Sequence, residues 1–226
     1  WYTGVVRLHY LEARLDGLGV RRGGSGPVFA PPLVPAGSGR LAGAAKPVLH
    51  YYLSFRSPYT YLAAGQVKAL ADAYGAELRL RFVLPMMMRG LPVPPMKKMY
   101  FTLDAAREAR RLGVPFGRIS DPLGRPVERG YALLHYALEQ GKGFEFALSF
   151  MRHVWSEGVD AGSDQGLARI VRAAGLDWAV ARQHLGDESW RATAEANRAE
   201  MTALGLWGVP CFRLGDTAVW GQDRLW

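Results

Sequence analysis

The sequence predicts an α/β fold in which a small sheet is interrupted by a large all-helical insertion. Three observations carry this. A strand-like run, a helical pattern and an alternating run follow one another between residues 48 and 84. From about 99 to 205 the apolar spacing is helical, with no strand pattern inside it. Two short strand patterns joined by a Gly-Asp turn then return at 211–220.

Residues 1–22 open irregularly (Trp1-Tyr2-Thr3-Gly4) and continue into a helical pattern, with Leu8, Leu11, Leu15 and Leu18 on one face and Gly19 as a stop. Residues 23–47 are rich in Gly and Pro and read as a linker or strap without a core of its own. Residues 48–226 form the main domain. Val48-Leu49-His50-Tyr51-Tyr52-Leu53 is short and rich in Val, Leu and Tyr, hence a strand. Ser57-Pro58 begins the next helix, with Ser57 as N-cap and Pro58 as first helical residue, and Gly75 ends it. Glu77 to Leu84 alternates like a strand and stops at Pro85, which completes a parallel βαβ unit.

Residues 86–99 read as a loop containing Met86, Met87 and Met88, suited either to core filling or to the wall of an apolar substrate pocket. Helices are expected at 100–112, 127–140, 143–156, 164–174, 177–186 and 188–204, with Gly113, Gly141, Gly175 and Gly205 near their ends. Cys211–Leu214 and Thr217–Trp220 form a hairpin, and Gly221 to Trp226 opens a further helix. The order β-α-β, helical block, β-β-α is that of a thioredoxin-like domain with a helical insertion. In that layout Pro210, ahead of the hairpin, is expected as a cis-proline beside Ser57.

A strand that feeds directly into a helix leaves bare N–H groups and a partial positive charge at the turn, a place to hold an anion such as a thiolate. The net charge is +8 and the pI about 9.8, but the basic residues are spread along the chain and no nucleic-acid motif accompanies them. Cys211 is the only cysteine, so no disulfide framework forms within the chain; this fits a reducing, cytoplasmic compartment. No apolar run approaches a membrane span. His135 and Glu139 share a helix face, but no second pair completes a metal site.

Four stretches occur in order: Ser57-Pro58-Tyr59-Thr60-Tyr61-Leu62-Ala63; Asp104 to Gly113 with Pro115, carrying Asp104 and Arg107; Trp207-Gly208-Val209-Pro210; and Trp220-Gly221-Gln222-Asp223-Arg224-Leu225. Together they resemble the 2-hydroxychromene-2-carboxylate isomerases and their relatives, the kappa-class glutathione transferases. These share ancestry with bacterial disulfide oxidoreductases, whose Cys-x-x-Cys stands where this chain has Ser57-Pro58-Tyr59-Thr60.

The resemblance implies glutathione as cofactor. Ser57 would hydrogen-bond its sulfur as the catalytic residue, and Val209 before Pro210 would pair its backbone with the cysteinyl part. Gln222 and Asp223 would hold the γ-glutamyl end. Lys97 or its neighbour Lys98 would meet the glycyl carboxylate. The reaction implied is isomerisation or transfer on a conjugated, aromatic acid, with the thiol adding to the substrate and leaving again. Partners are then a small-molecule substrate and neither nucleic acid nor membrane, and the chain could form a homodimer.

Departures from the pattern are Ser54 where the family often has Asp, Cys211 directly after Pro210, and the Met- and Pro-rich 86–96 stretch. Two other functions stay open: a non-catalytic thioredoxin-fold binding module, and a thiol-disulfide oxidoreductase using Cys211. Finally, Gly4-Val5-Val6-Arg7-Leu8 after Trp1 echoes Gly221-Gln222-Asp223-Arg224-Leu225 after Trp220. This suggests that residues 1–22 are the tail of a preceding similar domain. Helix 7–18 is then expected to dock by its four leucines where a C-terminal helix of the domain would lie.

Overall fold

The computed structural model describes residues 5–20, 27–30 and 46–225. Strands β1 (Val48–Leu53), β2 (Glu77–Phe82), β3 (Cys211–Leu214) and β4 (Thr217–Trp220) form one sheet in the order β2-β1-β3-β4. β1 pairs in parallel with β2 and antiparallel with β3, and β3–β4 is the expected hairpin. β1 is central and buried along almost its whole length, which its run of apolar and aromatic residues permits on both faces.

The helices are α1 (Leu8–Gly17), α2 (Pro58–Tyr74), α3 (Pro95–Leu112), α4 (Arg125–Glu139), α5 (Gly143–Ser156), α6 (Asp164–Ala173), α7 (Trp178–Ala181) and α8 (Trp190–Ala203). Helix α2 begins as its sequence demands. Ser57 is extended (φ −98°, ψ 111°), its Oγ accepts from the Thr60 N–H at 3.2 Å, and Pro58 occupies the first turn. Such a cap contributes about 1 kcal/mol. Gly75 closes the helix at φ +63°, a conformation that favours glycine.

The inserted helices support the β1–α2 turn from behind. Phe55 stacks on Phe150 of α5 at 4.2 Å, and its carbonyl accepts from the Trp155 indole at 3.0 Å. Tyr131 of α4 donates to the Val83 carbonyl at 2.6 Å and lies 3.4 Å from the Ser54 hydroxyl, which stands where the resemblance led us to look for Asp. This packing requires Gly130, because a Cβ there would come within 2.5 Å of the Phe150 ring.

Several boundaries differ from the sequence reading. Helix α3 starts at Pro95 rather than 100, because Pro95 serves as its first-turn proline. Lys97 and Lys98 are therefore helical rather than in a loop. The stretch expected as one helix at 177–186 divides into α7 and a 3-10 turn over Arg182–His184. Gly221 to Leu225 form a turn, not the start of a helix. Trp226, Trp1 to Gly4 and most of the 23–47 stretch lie outside the described residues. Within that stretch, the Val28 and Phe29 N–H groups bond the Glu12 carboxylate at 2.6 and 2.8 Å, tying it to α1.

Docking by four leucines is also corrected. Leu11, Leu15 and Leu18 are exposed, and no residue of α1 is fully buried. The segment is held instead by polar groups. Arg7, just before α1, is 5 % exposed and reaches Asp104 of α3; Tyr10 donates to Glu108 at 2.7 Å.

Candidate functional site

The β1–α2 turn, the start of α3, the 207–210 segment and the 220–223 turn converge on one cavity of about 540 Å³. All six residues singled out from the sequence line it: Ser57, Lys97, Val209, Pro210, Gln222 and Asp223. The Val209–Pro210 peptide bond is cis, and the Val209 carbonyl lies 3.4 Å from Ser57 Oγ. The Ser57 hydroxyl thus accepts from its own helix while its proton rests on a long, weak bond that a stronger acceptor can take over. The N-terminus of α2 adds its partial positive charge at the same point.

On the 220–223 turn, whose Gly221 N–H bonds the Pro210 carbonyl at 3.0 Å, Gln222 is 3 % exposed and its Nε2 donates to Glu108 at 2.8 Å. Its Oε1 is buried and has no hydrogen-bond partner among the described residues, which is costly. A ligand N–H would meet it once the side chain turned toward the cavity. Asp223 accepts from Arg7 at 3.4 Å. Lys97 stands on the first turn of α3 with its ammonium 5.5 Å from the Phe101 ring centre and 6.0 Å from that of Trp207. Sequence reasoning placed Lys97 in a loop of uncertain register; the helix gives it one.

The remaining wall is apolar and aromatic, with Met86, Val93, Phe101, Trp155, Trp207 and Trp220 among its residues. Trp207 and Trp220 meet edge to face at 4.5 Å. This packing excludes a side chain at Gly208, whose Cβ would lie 2.9 Å from the Trp220 ring. Both readings of the methionines hold in part, since Met86 faces the cavity while Met88 packs on the core. Cations also border the wall. Arg56 pairs with Asp121 at 2.7 Å, and Arg89 donates to the Trp207 carbonyl at 3.3 Å.

Cys211 does not join this site. It is fully buried, it packs with Tyr52 and Met201, and its thiol donates to the Gly208 carbonyl at 2.8 Å. Burial pushes its pKa up to about 12. A thiolate is the reactive form, so this environment disfavours thiol-disulfide chemistry through Cys211. Alternation along β3 explains it: Phe212 opposes Tyr51 and stacks on it at 5.4 Å, whereas Cys211 opposes Tyr52 on the other face.

The sequence reading singled out Asp104 and Arg107 as motif residues without a role, and it did not single out Arg7, Tyr10 and Glu108 behind Gln222 and Asp223. Burial opposes ionisation of Asp104, but hydrogen bonds from Arg7, Tyr59 and Arg107 outweigh it and hold its carboxyl below the ordinary value. Glu108 behaves alike: burial opposes its charge, and Arg111, Tyr10, Arg7 and Gln222 overcome it. Burial first, then Asp104, pushes the Tyr59 hydroxyl up, so it stays a donor. The signal available was the pairing of Asp104 with Arg107 and Glu108 with Arg111 three residues apart; nothing local pointed to Arg7. Among the described residues no group of His, Cys, Asp and Glu could hold a metal ion, and no helix is long and apolar enough to cross a membrane.

Comparison with known proteins agrees with the fold. The model of the DSBA-like thioredoxin domain matches residues 48–226. A protein of Pseudomonas putida named 2-hydroxychromene-2-carboxylate isomerase is 23% identical over 189 residues, covering 79% of this chain and 90% of its own length. A solved structure of 2-hydroxychromene-2-carboxylate isomerase superposes with a TM-score of 0.64 at 23% identity, over 79% of this chain and 90% of that one. The cytosolic disulfide reductase DsbM of Pseudomonas aeruginosa, solved with GSH, superposes with a TM-score of 0.56 at 21% identity, over 76% and 88% of the two chains.

Proposed function

The chain belongs to the DSBA-like thioredoxin family, and on that premise we propose that it is a glutathione-dependent isomerase or transferase acting on a conjugated, aromatic acid. One observation carries the reading. A single cavity brings together a serine hydroxyl at a helix N-terminus, the backbone before a cis-proline, and the polar side chains of Gln222 and Asp223. That set of polar groups suits a zwitterionic tripeptide. The names of the relatives, isomerases among them, and the GSH carried by the DsbM structure point the same way.

Bound glutathione would supply a thiol nucleophile able to add reversibly to a conjugated double bond. Ser57 would donate its hydroxyl proton to the sulfur, redirecting it from the Val209 carbonyl. With the α2 N-terminus this favours the thiolate over the thiol, whose ordinary pKa is about 8.5. Val209 would align the cysteinyl backbone. Gln222 Oε1 and Asp223 would accept from the γ-glutamyl ammonium, and Lys97 would face the glycyl carboxylate. The aromatic wall would hold the planar second substrate and keep water away from the reacting carbons, and cations at its border would balance a substrate carboxylate.

Of the two alternatives, a redox cycle through Cys211 meets a buried, unionised thiol with no second cysteine. A non-catalytic binding module would use the same cavity, and turnover is what separates it from the enzyme reading. The test is the absorbance change on interconverting 2-hydroxychromene-2-carboxylate with its ring-opened isomer, with and without glutathione. Turnover that requires glutathione supports the reading. Absence of turnover, or turnover indifferent to glutathione, overturns it.

A further inference from the structure

The family match begins at residue 48, yet the cavity does not consist of matched residues alone. Arg7 lines it too, from a segment that precedes the matched domain. Its Nε is 3.1 Å from both Asp104 oxygens and its Nη2 3.0 Å from Oδ2. Its Nη1 is 3.4 Å from Asp223 and 3.9 Å from Glu108. Asp104 is also bonded by Tyr59 at 2.8 Å and Arg107 at 3.1 Å, and Glu108 by Arg111 at 3.0 Å and Gln222 at 2.8 Å. Among the described residues, Asp104, Glu108 and Asp223 thus face Arg7, Arg107 and Arg111. Of these, Arg7 is the cation that bridges α3 to the 220–223 turn.

We infer that Arg7 is a positioning residue of the site: the N-terminal segment, through Arg7, fixes Asp223 and Gln222 in place and so sets recognition of a ligand's amino-acid end. The inference rests on the glutathione reading. Its physical basis is geometric. The 220–223 turn does not continue into a helix among the described residues; its Gln222 side chain is held by Glu108 of α3 and its Asp223 side chain faces Arg7. A planar guanidinium can grip one carboxylate with two N–H groups and still present a third nitrogen to another carboxylate, which a point-charge ammonium cannot do. Arg7 grips Asp104 in this way while facing Asp223. Glu108, itself near Arg7, holds Gln222 by its amide, and the buried carbonyl Oε1 has no partner among the described residues.

The test compares two thiols by calorimetry: glutathione, and cysteinylglycine, which lacks the γ-glutamyl group. The wild-type chain is expected to prefer glutathione. In Arg7→Ala the affinity for glutathione should fall about tenfold, while that for cysteinylglycine stays within about twofold. A merely structural role would weaken both alike, and an equal loss, or an unchanged preference, overturns the inference. Should Arg7→Ala not fold, Arg7→Lys carries the test. It keeps one charge but cannot bridge both carboxylates, so the preference should fall part-way; a preference equal to wild type overturns the inference. Failure of the wild-type chain to bind glutathione removes the glutathione reading and this inference together, whereas wild-type preference retained in the variants removes this one alone.

Discussion

Ser57 and Cys211 flank the same cis Val209–Pro210 unit, and their surroundings divide them. Ser57 starts α2, lines the cavity, and holds its proton in a 3.4 Å bond to the Val209 carbonyl. Cys211, the residue with the more nucleophilic atom, is sealed on the other face of the sheet beneath Met201, with its pKa pushed up to about 12. Side-chain chemistry alone would have picked the thiol. Position in the sheet picks the hydroxyl, because one residue along a strand turns a side chain from one face to the other. The comparison teaches that the start of α2 offers a hydroxyl donor and a partial positive charge without a redox atom, while the cysteine is closed off on the other face.

The largest break in that comparison should come from Ser57→Ala. Turnover is expected to fall tenfold or more, since about 1.4 kcal/mol of transition-state contact corresponds to a factor of ten. Stability should fall by only about 1 kcal/mol, the worth of the lost cap. Steady-state kinetics beside a urea melt separates the two, and unchanged turnover in the folded variant would sink the assignment. Next comes Gly208→Ala. Its methyl group would press on the Trp220 ring, so Trp207, Trp220 and the Val209 backbone must shift. Glutathione affinity is expected to drop several-fold, with a change in tryptophan fluorescence; affinity and emission both equal to wild type would contradict the packing account.

A smaller effect sharpens the picture behind Gln222 and Asp223. The Asp104 and Glu108 carboxyls are held below their ordinary values in the folded chain. A depressed folded pKa contributes stability that is full above the unfolded value and lost as pH falls through the folded one. Wild-type Tm should therefore fall more steeply than that of Arg7→Ala between about pH 5 and pH 3. Parallel curves would show that Arg7 does not stabilise those charges. The smallest functional effect is expected for Cys211→Ala. Removing a buried thiol should cost about 1 kcal/mol of stability and leave turnover per folded molecule within about twofold. A large loss of turnover without loss of stability would restore Cys211 to the mechanism.

Most of the fold was legible because it is written in local patterns. The β1 run, the Ser57-Pro58 helix start, the glycine stops and the Gly215-Asp216 turn each impose a geometry on their own few residues. Ser57, Val209, Gln222 and Asp223 were legible as motif positions, and the fold brings them to one cavity. What was not legible depends on distance. Arg7 meets a carboxylate 97 residues away, and no spacing in the sequence records that. Leucines at helical spacing in α1 announced an apolar face but not what covers it, and Leu11, Leu15 and Leu18 are exposed. Pro94-Pro95 read as loop because two prolines break most elements, although the second one is well placed in a first helical turn.

The measurement that tests the central claim most directly is the crystal structure of the chain soaked with glutathione. The account predicts the sulfur within hydrogen-bond reach of Ser57 Oγ, the cysteinyl backbone along Val209, and the γ-glutamyl end at Gln222 and Asp223. Glutathione disulfide-bonded to Cys211, or bound with its sulfur away from Ser57, would contradict it.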